Sequence, residues 1–186
     1  MKKIIKKIIM FALVLFTSIS LASCGKNEME KFIDQTIGEK ANYELTMKTN
    51  LLGIPIEVTM QVDGNVMRMD PFLTSSETYY EIKDGKEYVY SKVDGVWVRE
   101  ENNDNNHENP MDDFEGLQAK DFEENNHVWR LKEEKLSQYE MSSLEVVFEK
   151  SKVTMKMVAN EEGLFLKAEC IFTNFGKVKL TLPTIA

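Results

Sequence analysis

The chain has 186 residues, with 23 basic and 31 acidic side chains, a formal net charge of −8 and two cysteines. That length supports one ordinary domain with a real core. The excess of acid repels the phosphates of nucleic acid and of anionic lipid headgroups, so neither is expected as a partner from net charge.

The first stretch is "MKKIIKKIIMFALVLFTSISLASCG". Lys2, Lys3, Lys6 and Lys7 make a positive start, and residues 8–23 carry no charge. A short apolar run after a basic start is the pattern of a secretory signal. It falls slightly short of the roughly 20 apolar residues that cross a bilayer. Thr17, Ser18, Ser20, Ala22 and Ser23 also suit a cleavage region better than a membrane core.

The run Leu21-Ala22-Ser23-Cys24, followed by Gly25, resembles the lipobox of bacterial lipoproteins. The resemblance implies a diacylglycerol on the Cys24 sulfur and cleavage after Ser23. Residues 1–23 are then a signal peptide, and 24–186 form a single domain. Two acyl chains hold a protein stably where one holds it marginally. The expected location is the cell membrane, lipid-anchored at Cys24 and facing the extracytoplasmic side. Loss of 1–23 removes four lysines, leaving 163 residues with 19 basic side chains against 31 acidic, a net of −12. With Cys24 acylated, Cys170 has no disulfide partner, so the core must stabilise the fold.

Chain order then runs from helix to strands. In "NEMEKFIDQTIGEK" (27–40), Met29, Phe32, Ile33 and Ile37 recur at helical spacing, and Gly38 predicts a stop. "NYELTMKT" alternates, with Tyr43, Leu45 and Met47 on one face. "IEVTMQV" puts Ile56, Val58, Met60 and Val62 inward. Asp63-Gly64, Asp84-Gly85 and Asp94-Gly95 predict type I′ hairpin turns, so an antiparallel meander is expected. Residues 100–127 form an acidic, Asn-rich loop in this reading, with a short helix around Met111, Phe114 and Leu117. "HVWRL" predicts a brief strand, and "KEEKLSQYEMSSLEVVFEK" a helix followed by a strand. "KVTMKMV", "LFLKAECIF" and "KVKLTLP" predict three more strands, with Leu164, Leu166, Ala168, Cys170 and Phe172 sharing a face.

This order of parts, with the hairpins "VDGNVMRM" and "KDGKEYVYSKVDGVW" and the ending "FTNFGKVKLTLP", is similar to the LolA-like lipoproteins, including the LppX/LprG group. The resemblance implies an α+β, mainly β fold: a curved antiparallel half-barrel sheet packed around one or two helices. It also implies a non-catalytic protein that binds a lipid or other hydrophobic ligand in the hollow. Leu45, Val58, Met60, Met155 and Leu166 are the candidate lining. Nine methionines follow Cys24, and their flexible thioethers suit a cavity for chains of variable shape. They suit an ordinary core equally well.

Other chemistry is weakly signalled. Met67/Met69 and Met155/Met157 offer thioether pairs of a kind that suits Cu(I), but each continues an apolar strand face. His107 with Asp104, Glu108, Asp112 and Asp113, and His127 with Glu123 and Glu124, lack calcium-loop or zinc spacing. No nucleophile elbow, phosphate loop or zinc-protease helix is present, so neither an enzyme nor a cofactor is expected. Tyr79, Tyr80, Tyr88, Tyr90 and Trp97 crowd the central hairpins, where outward-facing rings suit a protein or glycan contact. The rival functions are a cell-surface interaction or sensor-accessory module with a filled core, and a cation-binding lipoprotein using the acidic loop. A monomer is expected in each case.

Overall fold

A computed structural model describes residues 24–51, 53–70, 76–102, 111, 114–159 and 167–185. The chain is mainly β: one large, curved, unclosed antiparallel sheet with few helices. The signal segment 1–23 and Leu166 lie outside the described residues. Helix α1 spans Cys24–Thr36, earlier than the 27–40 expected from periodicity, and Gly38 follows at φ +80° as its stop. Met29 and Phe32 are buried, with Ile33 and Ile37 packed against the same core.

Eleven described strands follow. They are β1 (Asn42–Leu51), β2 (Ile54–Asp63), β3 (Val66–Met69), β4 (Thr78–Lys83), β5 (Lys86–Val93), β6 (Val96–Asn102), β7 (Phe122–Asn125), β8 (Val128–Leu131), β9 (Met141–Phe148), β10 (Val153–Ala159) and β11 (Lys167–Thr173). Their order in the sheet is β6-β5-β4-β3-β2-β1-β11-β10-β9-β8-β7. Every neighbour except β1 and β11 is also a neighbour in sequence, so hairpin geometry builds most of the sheet. A short helix, α2 (Glu133–Gln138), precedes β9 as expected.

The turns follow local chemistry. Asp84-Gly85 and Asp94-Gly95 each have positive φ at both central positions, the type I′ pattern. The β2–β3 hairpin departs from the expected Asp63-Gly64 turn. Asp63 pairs with Val66, so Gly64 and Asn65 are central, and only Gly64 has positive φ. That is the type II′ pattern. A Cβ on Gly64 would crowd the Glu39 carbonyl oxygen at 3.1 Å, which adds to the strain that the positive φ already imposes on any side chain there.

Two expectations need correction. Residues 100–127 are only partly a loop: β6 continues through Asn102, a 3-10 turn spans Ala119–Asp121, and β7 pairs with β8 across Asn126-His127, both at positive φ. Met111, Phe114 and Leu117 form successive turns, with Phe114 N donating to Met111 O and Leu117 N to Phe114 O. All three are buried in the core. Apolar residues three apart meet the sheet even where acids surround them in sequence. The ending "KVKLTLP" forms no strand and joins none of the described strands in the sheet. Side chains hold it instead: Val178 N donates to Asn42 Oδ1, and Leu180 N donates to Asp63 Oδ2.

Candidate functional site

Alternation along the strands puts one apolar row after another on the face that α1 covers. Tyr80, Met67, Val62 and Tyr43 are successive cross-strand partners. The next row is Met69-Met60-Leu45-Phe172-Val153-Phe148. The third is Val58-Met47-Cys170-Met155-Val146-Trp129. The fourth is Ile56-Thr49-Ala168-Met157-Leu144.

Four of the five candidate lining residues are thereby brought together: Leu45 and Met60 are direct partners in one row, Val58 and Met155 stand in the next. All four are buried. Thr49, the polar member of the fourth row, donates its hydroxyl to Lys167 O at 2.7 Å and so enters the sheet face without an unmet hydrogen bond. All nine methionines after Cys24 belong to this one core, five buried and four packed against it.

Burial is graded along the face. On β2, Ile54 is 65% exposed, Ile56 is half-buried, Val58 is 7% exposed, Met60 4% and Val62 1%. The apolar surface thus opens at the β1–β2 tip and closes under α1. At the closed end Phe32 meets Phe172 at 5.1 Å, Phe148 at 5.9 Å and Phe175 at 6.2 Å, each edge to face. Two clefts border α1. One of about 500 Å³ lies against Phe32, Phe148 and the Glu149–Lys152 turn, and one of about 410 Å³ against Ile33 and the 117–120 segment. None of Leu45, Val58, Met60 and Met155 lines either cleft.

Cys170 is buried, and desolvation pushes its thiol up to about 12, with the nearby Glu169 charge adding to the shift. A thiol held neutral is a poor nucleophile. The helix begins at Cys24, whose side chain lies outside the described residues. No described helix is long and apolar enough to cross a membrane. His107, Asp104, Glu108, Asp112 and Asp113 also lie outside the described residues. His127 is exposed, with Glu124 at 3.9 Å. Among the described residues no group of three or more His, Cys, Asp and Glu is placed to hold a metal ion.

The aromatic hairpin residues divide between faces. Tyr80 enters the core, while Tyr79, Tyr88, Tyr90 and Trp97 stand on the outer face. There the Arg99 guanidinium lies 3.6 Å from the Tyr88 ring centroid, Tyr79 and Trp97 pack edge to face, and Tyr90 donates to Glu81 at 2.6 Å. These groups largely satisfy one another across the strands.

A scan against family models and a search of curated proteins found no match to this chain. The sequence signal for the lining was the alternation itself. No local pattern foretold the aromatic cluster around Phe32, because its members come from α1, β9, β11 and the turn beyond it.

Proposed function

We propose that this chain is an extracytoplasmic lipoprotein, anchored to the cell membrane at Cys24, whose LolA-like domain binds a lipid or other hydrophobic ligand without covalent chemistry. The observation that carries the reading is the burial gradient on β2. An apolar face closed at Val62 and exposed at Ile54 offers a hydrophobic chain a way in from one end. Met157 stands in the row at that way in, Met47 and Met155 one row deeper, and Met60 one row beyond them. Unbranched thioethers repack at small cost, so the entering chain gains contacts by shifting side chains rather than by filling a fixed void.

A second reading has its own support. The four described lining candidates are tightly buried and line neither cleft, as in an interaction module with a filled core.

Native mass spectrometry of the protein released from its own membranes separates the two. A chain beginning at Cys24 with added diacylglycerol mass tests the anchor. Further noncovalent lipid mass, lost in Ile54→Asp, supports the carrier. A clean mass after incubation with extracted membrane lipids overturns the carrier and leaves the interaction module.

A further inference from the structure

The larger of the two clefts beside α1, about 500 Å³, has a size common among small-molecule sites. Its floor is aromatic, made by Phe32, Phe148 and Phe175. Its rim is basic, carrying Lys31, Lys150, Lys152 and Lys177. Glu28 and Glu149 are the acids beside them. Among the described residues only Lys152 of these four lysines is ion-paired, with Glu149 at 2.9 Å. Lys31, Lys150 and Lys177 thus have no carboxylate partner among the described residues, on a chain whose net charge is −8.

We propose that this cleft binds the headgroup of an anionic phospholipid, its phosphate against the lysines and the upper part of its acyl chains against the phenyl rings. A soluble anion has no use for an aromatic floor, and a purely apolar ligand has none for the lysines. An amphiphile with a negative head uses both. Lysine serves as a phosphate-binding point charge, and each near an anionic surface strengthens the attraction. Position agrees with this chemistry. Lys31 lies seven residues from Cys24 on the same helix, about 10 Å along its axis. That part of the argument rests on the lipid-anchor reading; the composition of the cleft does not. The acidic body is repelled by an anionic bilayer, and this basic cleft gives the tethered domain one preferred face toward it.

The test compares membrane-extracted protein in nanodiscs of phosphatidylcholine alone with nanodiscs that also contain phosphatidylglycerol. Amide hydrogen exchange is read at residues 28–35, 148–153 and 174–177. Exchange there should slow roughly tenfold with phosphatidylglycerol, and the difference should vanish in Lys31→Glu/Lys177→Glu. Both lysines are exposed, so the variant should keep its fold, checked by unchanged exchange in β1 and β11. Equal slowing in both discs overturns the anionic headgroup. Slowing produced by glycerol phosphate added to phosphatidylcholine discs makes the site one for free phosphate and overturns the lipid. No slowing at these segments, or slowing confined to 54–56 and 157, overturns the cleft. Intact mass reports separately whether Cys24 is acylated. If it is not, the same exchange is read after adding the protein to phosphatidylglycerol vesicles, and the cleft is judged apart from the anchor.

Discussion

Asn42 and Asp63 stand opposite each other at the outer ends of β1 and β2, and Asn42 Nδ2 donates to Asp63 Oδ1 at 2.8 Å. Together they hold the C-terminal tail. Asn42 accepts from Val178 N and donates to Val178 O, each at 3.0 Å, and Asp63 accepts from Leu180 N at 3.1 Å. Asn42→Ala removes all of its side-chain bonds and leaves backbone groups of the tail unmet. It should cost about 2 kcal/mol. Urea denaturation gives the cost, and exchange of the Val178 and Leu180 amides should rise in step. Unchanged exchange at these amides would show that the tail is held otherwise.

Phe32 joins α1 to the sheet through three edge-to-face contacts. Phe32→Ala should destabilise the domain by about 3–5 kcal/mol, the cost of a large buried cavity. Phe32→Leu should recover much of it. The pair, compared by urea midpoint, separates lost volume from lost ring geometry.

Alkaline pH should weaken the fold. Burial pushes the Cys170 thiol from 9.0 up to about 12. Burial, with the hydrogen bond to Glu81 next, pushes the Tyr90 phenol from 10.0 up to about 12. Above pH 9 the unfolded chain releases protons that the folded chain keeps, so stability falls as pH rises. The loss should run from about pH 9 to about 12 and be shallower in Cys170→Ala/Tyr90→Phe. Urea midpoints at stepped pH measure it. A flat profile across that window would mean that neither group is shielded.

The open and closed ends of the apolar face should respond differently to charge. Ile54→Asp, at an exposed position, should change stability by no more than about 0.5 kcal/mol while lowering copurified lipid mass severalfold. Met60→Leu conserves volume in the buried row and should cost less than about 1.5 kcal/mol. It should narrow the range of chain lengths retained, because a branched side chain repacks less freely than methionine. Equal lipid loading in Ile54→Asp and the parent chain would move the ligand away from this end.

Much of the fold was legible in the sequence because its signals are local. Period-two alternation assigned the inward residues of β1, β2 and β11, and the Asp-Gly pairs at 84–85 and 94–95 placed two hairpins. Where alternation was broken by acid, as around Met111, Phe114 and Leu117, the buried residues were marked but their place under the sheet was not. The tail misled for the opposite reason. "KVKLTLP" alternates like a strand, yet its partners are the side chains of Asn42 and Asp63.

The sequence by itself determined the β-rich class, the helix ahead of the sheet, the inward faces of the main strands and the resemblance of residues 21–24 to a lipobox. Each rests on residues a few positions apart, where periodicity, turn φ and small-residue spacing act directly. Tertiary structure alone decided that β1 pairs with β11, that Leu45, Val58, Met60 and Met155 pack in adjacent rows, and that the apolar face is exposed at Ile54 but closed at Val62. It also gathered Lys31, Lys150, Lys152 and Lys177 around one aromatic floor. The β1–β11 pairing and the gathering of Lys31 with Lys150 join segments far apart in the chain, and no local preference encodes which distant surfaces exclude water together.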